Sequence, residues 1–315
     1  MTQGMTQEAS QDQPQDKGQS PAQGMPERLT RRSFRFLDRM RVRWAEIDAQ
    51  KIVFNGHYLM YFDTAVASYW RALAMPYAQT MEHLGGDLYV RKATLEYLAS
   101  AVYDDVLHVG VRCTRVGNSS MLFSAAVFRQ EQLLVSGEMV YVFADPHTQT
   151  SKPVPQPLRD VFLGFEAGQE MVEVRVGPWS ELGGDAAAIR TDVFVREQKI
   201  PAALEWDAAD AACVHAVAYN RFGLPLATGR WVQKAPGVAK IGRMAVVAAL
   251  RSASLGAKVL EALMQSARAA GNTEVMLHSQ ISASDFYGRA GFAVRGEVFE
   301  EAGIAHVEMT KSLRG

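Results

Sequence analysis

Residues 241–260, IGRMAVVAALRSASLGAKVL, constrain the fold more than any other stretch of the chain. Residues 244–250 form an apolar run that is short enough to be a buried strand, and a turn of small residues follows at 251–256. Beyond the turn, apolar residues recur at helical spacing: Leu255, Val259 and Leu263. A helix that begins directly after a strand presents its first backbone N–H groups, which lack partners within the helix, to a ligand. The order of strand, turn and helix therefore favours an anion site.

The composition of the turn suits a phosphate group. Arg251 adds a fixed positive charge. Small side chains let the backbone N–H groups approach a ligand closely, and they occur at Ser252, Ala253, Ser254, Gly256 and Ala257. The alternative is an ordinary capped helix after a core strand, with Ser252 or Ser254 as the N-cap residue.

The spacing Arg251-x-x-Ser254-x-Gly256-Ala257 resembles the Arg/Gln-x-x-Gly-x-Gly/Ala signature of the GCN5-related N-acetyltransferases (GNAT). Ser254 replaces the first glycine of that signature, and serine adopts positive φ less easily than glycine. The resemblance covers roughly residues 171–313 and includes a Phe-Tyr…Gly-Phe element around Tyr287. It implies a mixed α/β sheet and a site for the acetyl-CoA pyrophosphate. The residues that would bind CoA are Met244, Ala245, Val246, Arg251, Ser254, Gly256 and Ala257.

Acetyl transfer to an amine requires the thioester and a neutral amine to be held in line and the departing thiolate to be protonated. Backbone groups of residues 244–246 would pair with the pantetheine arm as an added strand does. Tyr287 is the natural acid, because a phenol can protonate a thiolate of similar basicity. The alternative role of Tyr287 is core packing. The base is not identified by the sequence, and the candidates are Glu205, Asp207, His278 and Glu300.

The N-terminal half predicts a long helix packed on an antiparallel sheet. Residues 40–44 alternate like a strand, and apolar residues from 57 to 74 share one helical face, with Asn55 as a plausible N-cap. The helical face would consist of Leu59, Phe62, Val66, Tyr69 or Trp70, and Leu73. Strand-like segments follow at 88–97, 106–116, 121–129 and 133–144, and a short helix at 157–165. One helix and a run of strands indicate an α+β layer.

The segment from Arg41 to Asp63, RVRWAEIDAQKIVFNGHYLMYFD, resembles the hotdog-fold acyl-CoA thioesterases of the 4-hydroxybenzoyl-CoA thioesterase family. The resemblance covers about residues 34–165. It implies that Asp48 acts on the thioester carbonyl or activates water. It also implies a homodimer or higher homo-oligomer, because sites in this family lie between subunits. The predicted oxyanion and substrate-binding residues are Asn55, Gly56, His57 and Tyr58, with the N–H groups of Gly56 and His57 as donors.

Three features leave the thioesterase prediction open to alternatives. Asp48 is also typical of a turn aspartate that accepts from local backbone N–H groups. Asp63 is a competing carboxylate, and it would otherwise form a salt bridge on the helix surface or at an interface. Lys51 stands where the family commonly has glycine.

Composition excludes several other classes of protein. A hydrophobic content of 48%, a charged content of 21% and a net charge of −1 indicate a globular protein with no electrostatic signature for nucleic acid or an anionic membrane. No apolar run approaches a membrane span. Seven histidines show no metal-ligand spacing, so no metal site is predicted. Cys113 and Cys213 fall in different halves, which favours a reducing cytoplasm.

The resulting prediction is a cytoplasmic fusion of two CoA-thioester enzymes. Its parts are a disordered tail at 1–30, a hotdog thioesterase domain at 31–166, a linker at 167–170 and a GNAT domain at 171–315. The chain would hydrolyse acyl-CoA and transfer an acyl group to an unidentified amine, with CoA as substrate and no permanently bound cofactor. The alternatives are one catalytic domain beside a CoA-binding or sensing module, or acyl transfer like that of the acyl-homoserine-lactone synthases. Residues 193–198, Glu205, Asp207 and Asp210 carry that last, weaker similarity.

Overall fold

The computed structural model describes residues 29–301 and 303–314. Apart from Leu29 and Thr30, the predicted disordered tail lies outside the described residues. The described strands form two sheets, one built before residue 145 and the other after residue 171. The predicted linker, 167–170, falls in the segment between the last helix of the first part and the first strand of the second. We call the two parts the N-terminal and C-terminal domains.

The N-terminal sheet has five antiparallel strands in the order β1-β3-β4-β5-β2. Each strand predicted between 88 and 144 ends at its predicted residue and begins within one residue of its predicted start. β1 ends at Arg41, whereas the predicted strand continued to Trp44, which instead begins a 3-10 turn, Trp44–Glu46. The bounds are β1 Phe36–Arg41, β2 Asp87–Tyr97, β3 Val106–Val116, β4 Ser120–Arg129 and β5 Gln132–Ala144.

Helix α1, Gly56–Ala72, packs across this sheet. A Cβ at Gly137 of β5 would lie 2.7 Å from Phe62 Cε2, so the absence of a side chain there lets α1 approach the sheet closely. Leu59 was predicted to share the buried face but is 41% exposed. The buried residues of α1 are Tyr58, Tyr61, Phe62, Ala65, Val66, Tyr69 and Trp70.

Two shorter helices complete the N-terminal domain. α2, Tyr77–Leu84, was not predicted, although Pro76 precedes it and Gly85 follows it at a φ of 64°. Proline before a helix and left-handed glycine after it are the usual boundary signals. α3, Gln156–Glu166, corresponds to the predicted closing helix.

The C-terminal sheet has seven strands in the order β11-β12-β10-β9-β8-β7-β6, and β9 and β10 are its parallel pair. β9 ends at Val246 and a 3-10 turn follows, so the apolar run predicted as a strand to Leu250 leaves the sheet four residues early. The bounds are β6 Val172–Pro178, β7 Val214–Asn220, β8 Pro225–Ala235, β9 Val238–Val246, β10 Glu274–Gln280, β11 Ala293–Glu301 and β12 Ile304–Ser312.

Helices cover both faces of the C-terminal sheet. On one face α4, Trp179–Arg190, continues into a π-helical segment, Thr191–Glu197. Its buried side chains form a core separate from the one that contains α6, Leu255–Ala269. The short helices are α5, Ala202–Glu205, and α7, Ser284–Arg289. The predicted apolar face of α6 is confirmed, since Leu255, Val259 and Leu263 are all buried.

The two domains are in direct contact. The buried Asn220 side chain donates from Nδ2 to the carbonyl oxygen of Ala74 at 3.1 Å. Lys258 of α6 forms a 2.7 Å ion pair with Glu170, the last residue of the predicted linker. None of the described helices is both long and apolar enough to cross a bilayer.

Candidate functional sites

Strands β9 and β10 of the C-terminal sheet diverge to form a V-shaped opening. Their parallel pairing ends at Ile241 and Leu277, whereas β9 remains paired with β8 as far as Val246 and β10 remains paired with β12 as far as Gln280. Arg243, at a φ of 54°, forms a bulge opposite Gly229. Along 244–246, the edge of β9 that faces β10 has no strand partner, so Met244, Ala245 and Val246 can offer backbone groups to a linear ligand.

The predicted phosphate loop lies directly beyond this opening. Several backbone N–H groups in the loop and at the start of α6 donate to no described residue: those of Ser252, Ser254, Leu255, Gly256 and Ala257. Arg251 is less available than predicted, because both of its terminal nitrogens bind the Glu197 carboxylate at 2.5 Å. The loop can therefore hold an anion mainly through backbone donors.

Ser254 precedes α6 with a φ of 61°, and its side chain makes no capping hydrogen bond. A positive φ brings the Cβ of most residues too close to the following carbonyl oxygen, and the glycine of the family signature avoids this contact because it has no Cβ. We expect Ser254→Gly to raise the free energy of unfolding by about 0.5–1 kcal/mol, because relief of the left-handed Cβ contact exceeds the entropy that glycine adds to the unfolded chain.

Urea denaturation of the full chain would measure this change. Ser254→Ala is the matched control, because it keeps the Cβ and should give no increase. Equal stability of the two variants would show that φ at this position is not strained.

Tyr287 lies on α7 with its ring packed against Phe286 and Phe292. It is 8% exposed, and its Oη makes no hydrogen bond with any residue in the part of the chain that the structure describes. Burial raises the pKa of Tyr287 to about 12. The side chain therefore packs in the core, as the alternative held, and also keeps a protonated, unpaired hydroxyl.

Two of the four candidate bases are fixed in ion pairs. Glu205 is 2% exposed and contacts Arg190 at 2.5 Å and Arg243 at 3.2 Å. Asp207 accepts from Arg230, which lowers the pKa of this carboxyl to about 2. The lowered pKa makes Asp207 a poor base, and the Glu205 carboxylate is buried in its ion pairs with two arginines.

The arginines of this ionic cluster were not identified from the sequence. The acidic spacing was visible, but its partners lie on separate elements: Arg190 on α4, Arg230 on β8 and Arg243 on β9. Only the fold brings them together. Of the remaining candidate bases, Glu300 is exposed on β11, whereas His278 lies at the V-shaped opening.

In the N-terminal domain, Asp48 lies in the loop before α1. Its Oδ1 accepts from Gln50 N–H at 2.8 Å, while Oδ2 accepts from no described residue. Lys51 has a φ of 65°, which explains why glycine is common at this position in the family. The predicted turn interaction is thus present, and one carboxylate oxygen is also left free for chemistry.

The start of α1 supplies one of the two predicted oxyanion donors. Gly56 N–H donates to no described residue, whereas His57 N–H donates to the Phe54 carbonyl at 2.9 Å. Asn55 occupies the N-cap position, but its side chain makes no capping hydrogen bond. Tyr58 is buried, and its Oη accepts from Ala101 N–H at 2.9 Å.

The carboxylates near Asp48 differ in availability. Glu46 is not among the residues identified from the sequence. It is 3% exposed, and its carboxylate accepts hydrogen bonds from Tyr61 Oη at 2.7 Å and from Arg43 Nε at 2.7 Å. These contacts stabilise the segment directly before the Asp48 loop. Asp63 is exposed on α1 and forms no ion pair with a described residue.

The start of α1 is surrounded by exposed apolar side chains, and the neighbouring strand β2 lies at the edge of its sheet. The exposed side chains are Phe54, Leu59, Met60, Tyr97 and Leu98. Within residues 29–301 and 303–314, no group of three or more His, Cys, Asp or Glu side chains is placed to hold a metal ion. Both cysteines are buried and unpaired.

Comparison with known proteins assigns the two domains separately. A family model described as "Acetyltransferase (GNAT) domain" matches residues 226–313, and one described as "Thioesterase superfamily" matches residues 50–136. The chain is 37% identical over 128 residues to the Uncharacterized N-acetyltransferase YjcF of Bacillus subtilis. This alignment covers 40% of this chain and 90% of that protein.

Further matches divide in the same way. The chain is 25% identical over 120 residues to the Acyl-CoA thioester hydrolase YbgC of Escherichia coli, across 38% of this chain and 89% of that protein. The structure of an acyl-CoA N-acyltransferase from Pseudomonas aeruginosa aligns with 44% of this chain and 99% of its own, at 31% identity and a TM-score of 0.41. On the two family models and the sequence relatives of 30% identity or more, the chain belongs to the thioesterase superfamily through its N-terminal, hotdog-fold domain and to the GNAT acetyltransferases through its C-terminal domain.

Proposed function

We propose that this protein is a bifunctional CoA-thioester enzyme, which hydrolyses acyl-CoA in its hotdog domain and transfers an acyl group from CoA to an amine in its GNAT domain. The observation that carries the proposal is that, in each domain, backbone N–H groups at the start of one helix donate to no described residue. In the GNAT domain it lies beside an open strand edge, and in the hotdog domain it lies beside Asp48.

In the hotdog domain, Asp48 Oδ2 attacks the thioester carbonyl or removes a proton from the attacking water. Gly56 N–H donates to the carbonyl oxygen as negative charge develops on it, which lowers the barrier. The exposed apolar side chains around α1 and the free edge of β2 support a dimer in which a second copy covers this surface. The site would then be completed between subunits.

In the GNAT domain, the free N–H groups of the loop bind the CoA pyrophosphate. The pantetheine arm pairs with the open edge of β9 at Met244–Val246, which carries the thioester toward Tyr287. Tyr287 Oη then donates its proton to the sulfur as the C–S bond breaks. CoA is a substrate in both reactions, so no resident cofactor is required.

A thiol-release assay with a panel of acyl-CoAs, each run with and without amines, tests both activities together. We expect release without amine for some acyl-CoAs, from hydrolysis, and faster release with amine for acetyl-CoA or another short acyl-CoA, from transfer. Saturable CoA binding with no thiol release from any member would contradict the proposal.

The alternative of a single catalytic domain has a specific structural basis. Arg251 is ion-paired with Glu197, and serine replaces the first glycine of the signature at position 254, so the phosphate loop departs from its family pattern in two ways. If the GNAT domain only binds CoA, amines will not accelerate thiol release. Hydrolysis without amine will then be the entire activity.

A further inference from the structure

A cluster of titratable side chains lies where the V-shaped opening begins, and the steps above do not use it. His278 is the first residue of β10 beyond the last pair with β9, Leu277 with Ile241. It pairs across the sheet with Glu308 of β12, while Glu301 of β11 and Lys240 of β9 contact its ring. We call Lys240, His278, Glu301 and Glu308 the His278 cluster.

The His278 cluster faces the side of the sheet on which α4 packs. Gln280, two residues along β10 and therefore on the same face as His278, donates to Gln198 Oε1 at 3.3 Å. Gln198 directly follows the π-helical segment that continues α4. Leu277, the neighbour of His278, points the other way and belongs to the same buried core as Tyr287 and α6.

This arrangement places Tyr287 and His278 on opposite sides of the sheet, with the gap between β9 and β10 separating them. A thioester held along β9 in that gap would present its sulfur toward one side and its carbonyl carbon toward the other. An acid belongs beside the leaving sulfur, and a base belongs where the amine enters. Tyr287 lies on the α6 side of the sheet and His278 on the α4 side, so the two side chains are separated as an acid and a base on opposite sides of the thioester would be.

The contacts of the His278 ring make one of its nitrogens available. Nδ1 lies 2.9 Å from Glu301 Oε2, and in the tautomer whose Nδ1–H donates to this carboxylate the lone pair is on Nε2. Nε2 lies 4.0 Å from Glu308 Oε2, which is too far for a hydrogen bond. The ring is also packed edge-on against Phe299, which restricts its orientation.

The cluster contains two carboxylates, Glu301 and Glu308, and one ammonium, Lys240, which lies 3.3 Å from His278 Nδ1. Arg295 pairs with Glu308 and with Glu274, so Glu301 is the carboxylate of the cluster that is paired with the His278 ring and with no arginine of the described chain. His306 stacks on Phe299 rather than on His278. Carboxylates beside the entrance favour a cation and repel an anion.

From this placement we propose that His278, oriented by Glu301, is the general base of the transfer reaction, and that the acceptor is a small amine with a second positive charge. The inference rests on the proposed acetyl transfer. The amine nitrogen attacks the carbonyl carbon and gives a proton to His278 Nε2 as the C–N bond forms. The C–S bond breaks, and the sulfur takes the proton of Tyr287. The imidazolium then loses its proton to solvent, and the tyrosinate regains one.

The test uses the full chain with acetyl-CoA and three probe amines of similar size: 1,4-diaminobutane, butylamine and 4-aminobutyrate. We expect kcat/KM to fall in that order. His278→Gln should lower kcat by about 100-fold, the size of a lost general base, and should leave KM for acetyl-CoA unchanged. Glu301→Gln should lower kcat by less, also without a change in KM for acetyl-CoA.

Two controls keep the outcomes distinct. Glu297→Gln, on the exposed part of β11 outside the cluster, should behave like the unmodified chain. The affinity for acetyl-CoA, measured by calorimetry, should be unchanged in His278→Gln, which shows that the fold is intact. Acetylation of none of the amines would overturn the transferase proposal itself. Transfer with kcat of His278→Gln within threefold of the unmodified chain would overturn the base assignment, and a preference for 4-aminobutyrate would overturn the acceptor class.

Discussion

Asp48→Asn is expected to lower acyl-CoA hydrolysis by about 1,000-fold and to leave acetyl transfer unchanged. An amide can neither attack the thioester carbonyl nor take a proton from water, so the reaction loses its nucleophile or base. The substitution keeps an oxygen that can accept from Gln50 N–H, so the loop before α1 should retain its conformation. Thiol release from acyl-CoAs without amine is the measurement.

Asp63→Asn is the comparison that decides between the two carboxylates. Asp63 is exposed on α1 and forms no ion pair with a described residue, so its replacement should affect neither the fold nor hydrolysis if Asp48 is the catalytic group. The reverse result, in which the Asp63 variant loses hydrolysis and the Asp48 variant keeps it, would assign the chemistry to the helix instead of the loop.

The elements of the fold were predictable where hydrophobic periodicity is strong. β3 has the predicted bounds, Val106–Val116, and the apolar face of α6 is buried as expected. One kind of error falls where a run of apolar residues continues past the end of an element. The run at 244–250 leaves the sheet after Val246 because β9 ends there and the chain turns toward α6. Composition alone does not mark that end.

The candidate sites were predictable as segments but not as sets of contacts. The loop before α6 and the loop around Asp48 lie where their motifs placed them, since each motif is local in sequence. Arg251 is predicted to add a positive charge to the phosphate loop, yet it binds Glu197, 54 positions away along the chain. The pairing of His278 with Glu301 likewise depends on the register of three strands. Such partners are set by topology, which a single motif does not contain.

The pKa of Tyr287 limits how the rate of the proposed transfer reaction can depend on pH. Burial raises the pKa of Tyr287 to about 12, so this acid remains protonated at every pH below that value. Its deprotonation therefore cannot lower the rate between pH 5 and 10. Any rise of the transfer rate with pH in that interval must come from the base or from the amine substrate.

Tyr287→Phe is expected to lower kcat for acetyl transfer by about 1,000-fold with little change in KM for acetyl-CoA, because the thiolate must then leave without a proton. Phenylalanine keeps the ring contacts with Phe286 and Phe292, so the core should remain packed. Hydrolysis by the hotdog domain should be unaffected. Tyr219→Phe is a matched control, since Tyr219 Oη donates to Asp185 on α4 and lies outside the opening. If kcat of Tyr287→Phe stayed within a few-fold of the control, Tyr287 would be a packing residue, and water would be the proton donor to the sulfur.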